Sequence, residues 1–238
     1  MGTAVLIASG KGGTGKTTLA VNLGVTLAQK DAKVCLVDLN MGLRNLDIYM
    51  GLEDRALFDL GDVFTGVCKV EKALVRDDRF PHLYLLSCPQ FKEISGVTPM
   101  HYKKLFAVLK KVFDYIIIDT PVSLGSVMEC AAPAADSAVI VVTPDYTAVR
   151  NGDTMDQRLA GYGIRKRCYV VNKVSMDIMQ QGSVPDLEYI ADSMNTKMCG
   201  VIPFDENIHN GNNSGNPVVM ARDSYIADNF VNMALRIF

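Results

Sequence analysis

Apolar residues fall into short, nearly unbroken runs, separated by longer stretches in which they recur at helical spacing. The runs Ala4–Ala8, Val34–Val37, Leu83–Ser87, Tyr115–Asp119, Ala138–Thr143, Tyr169–Asn172 and Met198–Ile202 predict strands. Two of these, YIIID and AVIVVT, lack the apolar–polar alternation of a half-exposed strand. Strands covered on both faces have this pattern, which predicts a parallel sheet between helical layers. Helical periodicity marks Lys16–Gln29, His101–Val112, Leu124–Ala132, Asn151–Ala160, Pro185–Met194 and Tyr225–Ile237. The alternation of strands and helices predicts an α/β fold: one doubly wound, mostly parallel β-sheet flanked by helices, with right-handed crossovers. The polar stretch HNGNNSGNPV (His209–Val218) predicts a loop within the domain.

Composition narrows this picture. A chain of 238 residues, 49% hydrophobic, suits one domain spanning 1–238. Its net charge of −2 supplies no bulk basic field for nucleic acid. The small basic run GIRKR (Gly163–Arg167) is expected to be a solvated loop before a strand. The six cysteines form no C-x-x-C pair and sit mostly in apolar runs. They are expected to be buried, reduced thiols, which fits a cytoplasmic protein. No basic leader precedes a long apolar core, and Leu6 stands where a myristoylation signal needs Ser or Thr. No window approaches the ~18 uninterrupted apolar residues of a membrane-spanning helix.

The chemistry is concentrated directly after the first strand. Gly10–Thr17 reads GKGGTGKT, which satisfies G-x-x-x-x-G-K-[ST]. Gly10, Gly12, Gly13 and Gly15 let backbone N–H groups around Lys11 and Thr14 turn inward on phosphate oxygens. The loop opens a helix whose positive N-terminal end favours anions. Lys16 reaches the β- and γ-phosphates, and the Thr17 hydroxyl suits Mg²⁺. An apolar strand before and an amphipathic helix after complete the context of a P-loop NTPase. A second lysine, Lys11, is not required by this motif. It is free to stay solvated or to reach a phosphate of its own or a neighbouring subunit.

KGGTGKTT (Lys11–Thr18) resembles the deviant Walker A motif of the MinD/ParA family of ATPases. Further blocks carry the resemblance along nearly the whole chain, nearest to the septum-site-determining MinD branch: MGLRNLDIYMGLE (Met41–Glu53), EKALVRDDRFPHLYLLSC (Glu71–Cys88), FDYIIIDTP (Phe113–Pro121), VVTPDYTAVR (Val141–Arg150) and VIPFDENI (Val201–Ile208). The resemblance implies a homodimer formed on ATP, with Lys11 crossing to the partner's nucleotide, in the manner of an arginine finger. It implies that Asp119 ends the Walker B strand and that Asp38 joins it and Thr17 around Mg²⁺. It implies that Asn172 recognises adenine and that Pro203, Phe204 and Asp205 flank the base. A regulatory partner of MinC or MinE type, and a peripheral position on the inner face of the membrane, follow on the same basis.

The chain also departs from the family pattern. The family's Asp-x-Asp pair is here Asp38 and Asn40. An amide orients water but is a poor base, so Asn40 is expected to position the attacking water and to slow turnover. The acid after VR is Asn151, and the small Ala-Gly pair after the Walker B Asp-x-Pro is Val122-Ser123. The C-terminal SYIADNFVNMALRIF holds one cation, Arg236, unlike a basic membrane-binding helix, and is expected to pack on the core. The expected function is a Mg-ATP-dependent dimerising switch in positioning the division site. The alternatives are an ATP-binding scaffold of weak or no hydrolysis, akin to proteins that position flagella or pili, and a ParA-type DNA partition ATPase.

Overall fold

The computed structural model describes all residues except 91–95, 123–124 and 222–223. The departure at Ser123 and the predicted helix start at Leu124 lie outside the described residues. The strands are β1 (Thr3–Ala8), β2 (Val34–Asp38), β3 (Leu74–Arg76), β4 (Leu83–Leu86), β5 (Tyr115–Asp119), β6 (Ser137–Val142), β7 (Lys166–Val174) and β8 (Lys197–Pro203). They form one eight-stranded sheet in the order β3-β4-β2-β5-β1-β6-β7-β8. Every neighbouring pair is parallel except β3 with β4, an antiparallel hairpin at one edge.

The helices are α1 (Lys16–Ala28), α2 (Leu46–Met50), α3 (Leu60–Phe64), α4 (Val70–Ala73), α5 (Pro99–Leu109), α6 (Ser126–Ala131), α7 (Tyr146–Gly161), α8 (Met176–Gln180), α9 (Leu187–Ser193), α10 (Glu206–Asn213) and α11 (Tyr225–Ile237). Both faces of the sheet are covered, which explains the unbroken apolar runs. In β1, Ala4, Leu6 and Ala8 point into one apolar layer, while Val5 and Ile7 point into the other. In β5, Ile116 and Ile118 join the first layer and Ile117 the second. The first layer packs against α5, α6, α7 and α9 through Phe106, Met128, Met155 and Ile190. The second packs against α1 and α11 through Leu19, Leu23, Phe230 and Met233. As expected, α11 closes the core: Ile226, Phe230, Met233, Ala234 and Ile237 are all buried.

The sequence pattern missed α10, along with the short helices α2, α3, α4 and α8. The stretch predicted as a loop from His209 begins inside α10. Asn side chains compete with helical backbone bonds and so suggest turns. Here they are engaged elsewhere: Asn212 donates to Thr18 Oγ1 at 3.0 Å, and Asn213 pairs with His209 at 3.0 Å. Asp205 accepts from the Asn207 N–H at 2.8 Å and starts the helix, and Ile208 anchors it. The loop begins only at Ser214 and Gly215. Likewise α7 starts at Tyr146 rather than Asn151, because Asp145 caps it through the Ala148 N–H.

From β1 the chain crosses to β2 and β4 on one side, and later to β6, β7 and β8 on the other. A crevice therefore opens beyond the carboxyl ends of β1, β5 and β2, where ligands of open α/β sheets bind. No described helix is long and apolar enough to cross a membrane.

Candidate functional site

The glycine-rich loop leaves the carboxyl end of β1 and turns into α1. Gly13 and Gly15 adopt left-handed φ values of 72° and 95°, which other residues resist. A Cβ on Gly15 would lie 2.1 Å from Asn172 Nδ2, and one on Gly10 would lie 2.3 Å from the Asn151 carbonyl oxygen. Gly12 is exposed, whereas Thr14 is buried with a hydroxyl that has no partner among the described residues. Lys16 opens α1 with its side chain folded under the loop, and Nζ donates to Ser9 Oγ at 3.0 Å. Burial lowers the pKa of this ammonium, and the charge of Asp119 partly restores it.

Two carboxylates meet beneath the loop. The register of β2 against β5 sets Asp38 beside Asp119, and both are fully buried. Thr17 Oγ1 donates to Asp119 Oδ2 at 2.6 Å. The Asn40 amide nitrogen donates to the same oxygen at 2.9 Å and to Asp38 Oδ1 at 3.1 Å. The Asn40 and Leu46 backbone N–H groups donate to Asp38 at 2.7 and 3.2 Å. The second oxygen of Asp119, Oδ1, is buried with no partner among the described residues. Burial, then the charge of Asp38, pushes the Asp119 carboxyl up to about 7, against the pull of Thr17, Lys16 and Asn40. Burial raises Asp38 as well.

A pH dependence follows, with a definite sign. A carboxyl raised on folding binds its proton more tightly in the native state, so it removes stability as pH rises from its unfolded value towards 7. The metal-free protein is expected to lose on the order of a few kcal/mol through this group between about pH 4 and 7. Urea unfolding of the wild type and Asp119→Asn across this range isolates it. The difference should shrink at low pH, and a pH-independent difference would refute the assignment.

The predicted residues are not all in one place. Lys11 lies on the outer side of the loop, where its Nζ pairs with Asp145 Oδ1 at 2.9 Å, both side chains being 41% exposed. The Thr147 hydroxyl, Lys11 and the Ala148 N–H hold the Asp145 carboxyl well below the usual carboxylate range. Asn151 Nδ2 donates to the Gly10 carbonyl at 3.2 Å. Asn172 is 4% exposed, and its amide nitrogen donates to the Thr14 carbonyl at 2.7 Å. This contact positions the loop, while Asn172 also lines the adjoining cleft. That cleft, about 800 Å³, runs from Lys16, Thr17 and Asn40 to Pro203, Phe204 and Asp205. Phe204 presents an exposed ring there.

Four residues with no role assigned from sequence also belong to the site. Asp145 holds Lys11, Lys173 Nζ donates to the Gly13 carbonyl at 2.9 Å, Asn212 holds Thr18, and Tyr49 lines the cleft. Lys173 adjoins Asn172 in sequence, so proximity could have flagged it. Asn212 was hidden in the stretch taken for a loop. Arg44 and Asp47 form an ion pair at 2.5 Å beside the site.

A family model described as an AAA domain matches residues 2–157. Over 239 residues the chain is 39% identical to the septum site-determining protein MinD of Bacillus subtilis (strain 168), covering 100% of this chain and 89% of that protein. The chain belongs to the MinD/ParA family, on its MinD branch. Solved structures of the family agree. The MinC:MinD cell division protein complex of Aquifex aeolicus superposes with a TM-score of 0.90 at 33% identity, over 98% of this chain and 95% of that one. MinD of Pyrococcus horikoshii OT3, complexed with Mg-ADP, superposes with a TM-score of 0.87 at 28% identity, again over 98% and 95%. The parallel sheet, the loop and the crevice are thus those of a P-loop NTPase of this family.

Proposed function

We propose that residues 1–238 work as one P-loop ATPase domain, a Mg-ATP-dependent dimerising switch that positions the division site from the cytoplasmic side of the membrane. The carrying observation is the cluster of Lys16, Thr17, Asn40, Asp38 and Asp119 under the glycine loop, at the mouth of the cleft. Its oxygens would suit Mg²⁺, which prefers hydroxyl, carboxylate and water ligands, and Asp119 Oδ1, buried without a partner among the described residues, fits such a group. When bound, Mg²⁺ neutralises charge on the phosphates. Residues Gly10 to Thr18 cradle the phosphates, and Lys16 compensates their charge. Asn172, Pro203, Phe204 and Asp205 hold the adenosine end, and Asn40 orients the attacking water. Catalysis on this reading is positioning plus electrostatic stabilisation, with no covalent intermediate.

Lys11 supplies the trans cation. It is half-exposed and held by one surface carboxylate, a contact weak enough to exchange for a partner's phosphate. The MinC:MinD complex of Aquifex aeolicus supports a protein partner of MinC type. The test is the molar mass in solution, by light scattering, with Mg-ADP and with Mg-ATP. The expected result is a dimer with Mg-ATP alone, lost in Lys11→Ala. A mass indifferent to the nucleotide would sink the switch. Asn40 favours a second reading, an ATP-locked scaffold with little turnover, because its amide replaces the family's acid.

A further inference from the structure

The block DDRF (Asp77–Phe80) in the β3–β4 hairpin takes no part in the site described above, yet its arginine is the most heavily engaged cation among the described residues. Arg79 grips Asp77 through Nε at 3.0 Å and Nη2 at 2.7 Å. Asp77 is buried, so this fork is fixed. The remaining donors face outward from the pair. Nη2 donates to the Met50 carbonyl, and Nη1 donates to the Gly215 carbonyl at 2.8 Å and to Asn216 Oδ1 at 3.4 Å.

The carbonyls of Met50 and Gly215 lie at the ends of two elements whose other residues line the cleft. Met50 ends α2, which follows Asp38, Asn40 and Asn45 and carries Tyr49 into the cleft. Gly215 follows α10, which lines the cleft from Glu206 to Asn212 after Phe204 and Asp205. The helices pack together and their ends meet backbone to backbone. Gly51 and Gly215 both take left-handed φ, 61° and 66°, and a Cβ on Gly215 would lie 2.5 Å from Gly51 Cα. One guanidinium, planar and with five fixed donors, thus ties both carbonyl ends to a buried carboxylate on the sheet edge.

We infer that Arg79 is a positioning residue for the nucleoside half of the cleft. It holds the base-side wall of α10 in register with α2 and the Asp38–Asn45 segment, without touching the ligand. This rests on the nucleotide reading above, and it makes a distinction that a general loss of stability does not. The glycine loop and Lys16 are held chiefly from elsewhere, by Ser9, Asn172 and Lys173, and α10 reaches the end of the loop through Asn212 on Thr18 Oγ1. Loosening Arg79 should therefore spare phosphate binding and weaken nucleoside binding.

The test compares Mg-ADP with Mg-pyrophosphate by titration calorimetry, at a temperature where circular dichroism shows each variant folded. In Arg79→Ala the ADP affinity is expected to fall about tenfold or more, with pyrophosphate affinity kept within about twofold. Amides of α2 and of residues 206–216 should exchange faster with solvent. Gly215→Ala, which forces the junction apart with Arg79 intact, should give the same split and covers the case that Arg79→Ala does not fold. Equal losses for both ligands, or none for either, would overturn the positioning role. A wild-type chain that bound neither ligand would instead sink the nucleotide reading itself, and this inference with it.

Discussion

Lys16→Ala is expected to weaken Mg-ADP and Mg-ATP binding by about a hundredfold or more, that is, roughly 2.7 kcal/mol or beyond. The reason is geometric as well as electrostatic. Among the described residues, Lys16 is the one cation whose ammonium is folded beneath the glycine loop, on Ser9 Oγ, close enough to Asp119 to feel its charge. A cation already desolvated and held in place gives up little on meeting a phosphate, so most of its attraction appears as affinity. Lys11 and Lys173 do not replace it: one is paired with Asp145 on the outer side, and the other is bound to the Gly13 carbonyl. Titration calorimetry with both nucleotides checks this. Retention of binding within threefold, or about 0.7 kcal/mol, would place the phosphates elsewhere. The folded state should survive, because removing a buried ammonium also removes its desolvation cost.

The parts of this site that were legible from sequence are those where local chemistry and topology coincide. GKGGTGKT declares both a backbone shape and a helix start, and YIIID declares a doubly covered strand whose last residue must reach the crevice. Asp38 and Asp119 were named through the family resemblance, and it is the register of β2 against β5 that brings their carboxyl ends together. The illegible parts depend on contacts between residues far apart in the chain. Nothing near Asn172 says that its amide will hold the Thr14 carbonyl, because 158 positions separate them. Asn212 looks like a turn residue until Thr18 is placed beside it. β3 has only three residues and is a strand by virtue of its pairing with β4. Asp145 shows the same limit: its cap on α7 and its partnership with Lys11 both emerge only in the fold.

Asn40→Asp is expected to act on stability and turnover in opposite directions. In the native chain the amide is a neutral bridge, donating at once to Asp38 and Asp119. An aspartate there donates nothing and brings a third carboxylate into a buried pair that burial already strains. Without metal, the variant should lose roughly 2–4 kcal/mol at pH 8. The sign with pH is fixed: crowding raises the folded pKa of the cluster, so the loss should be largest at pH 8 and smaller at pH 5.5, where a bound proton relieves the repulsion. Saturating Mg-ADP should recover most of it, since a divalent cation supplies the charge that the amide made unnecessary. Turnover of ATP should rise by about tenfold or more, as a charged acceptor replaces an amide beside the attacking water. Urea unfolding at both pH values, with and without Mg-ADP, together with phosphate release measures both effects. Equal stability at pH 8 would mean that the bridge carries no weight. A rate unchanged while stability falls would mean that Asn40 already orients water well enough, and the cycling switch would stand over the locked scaffold.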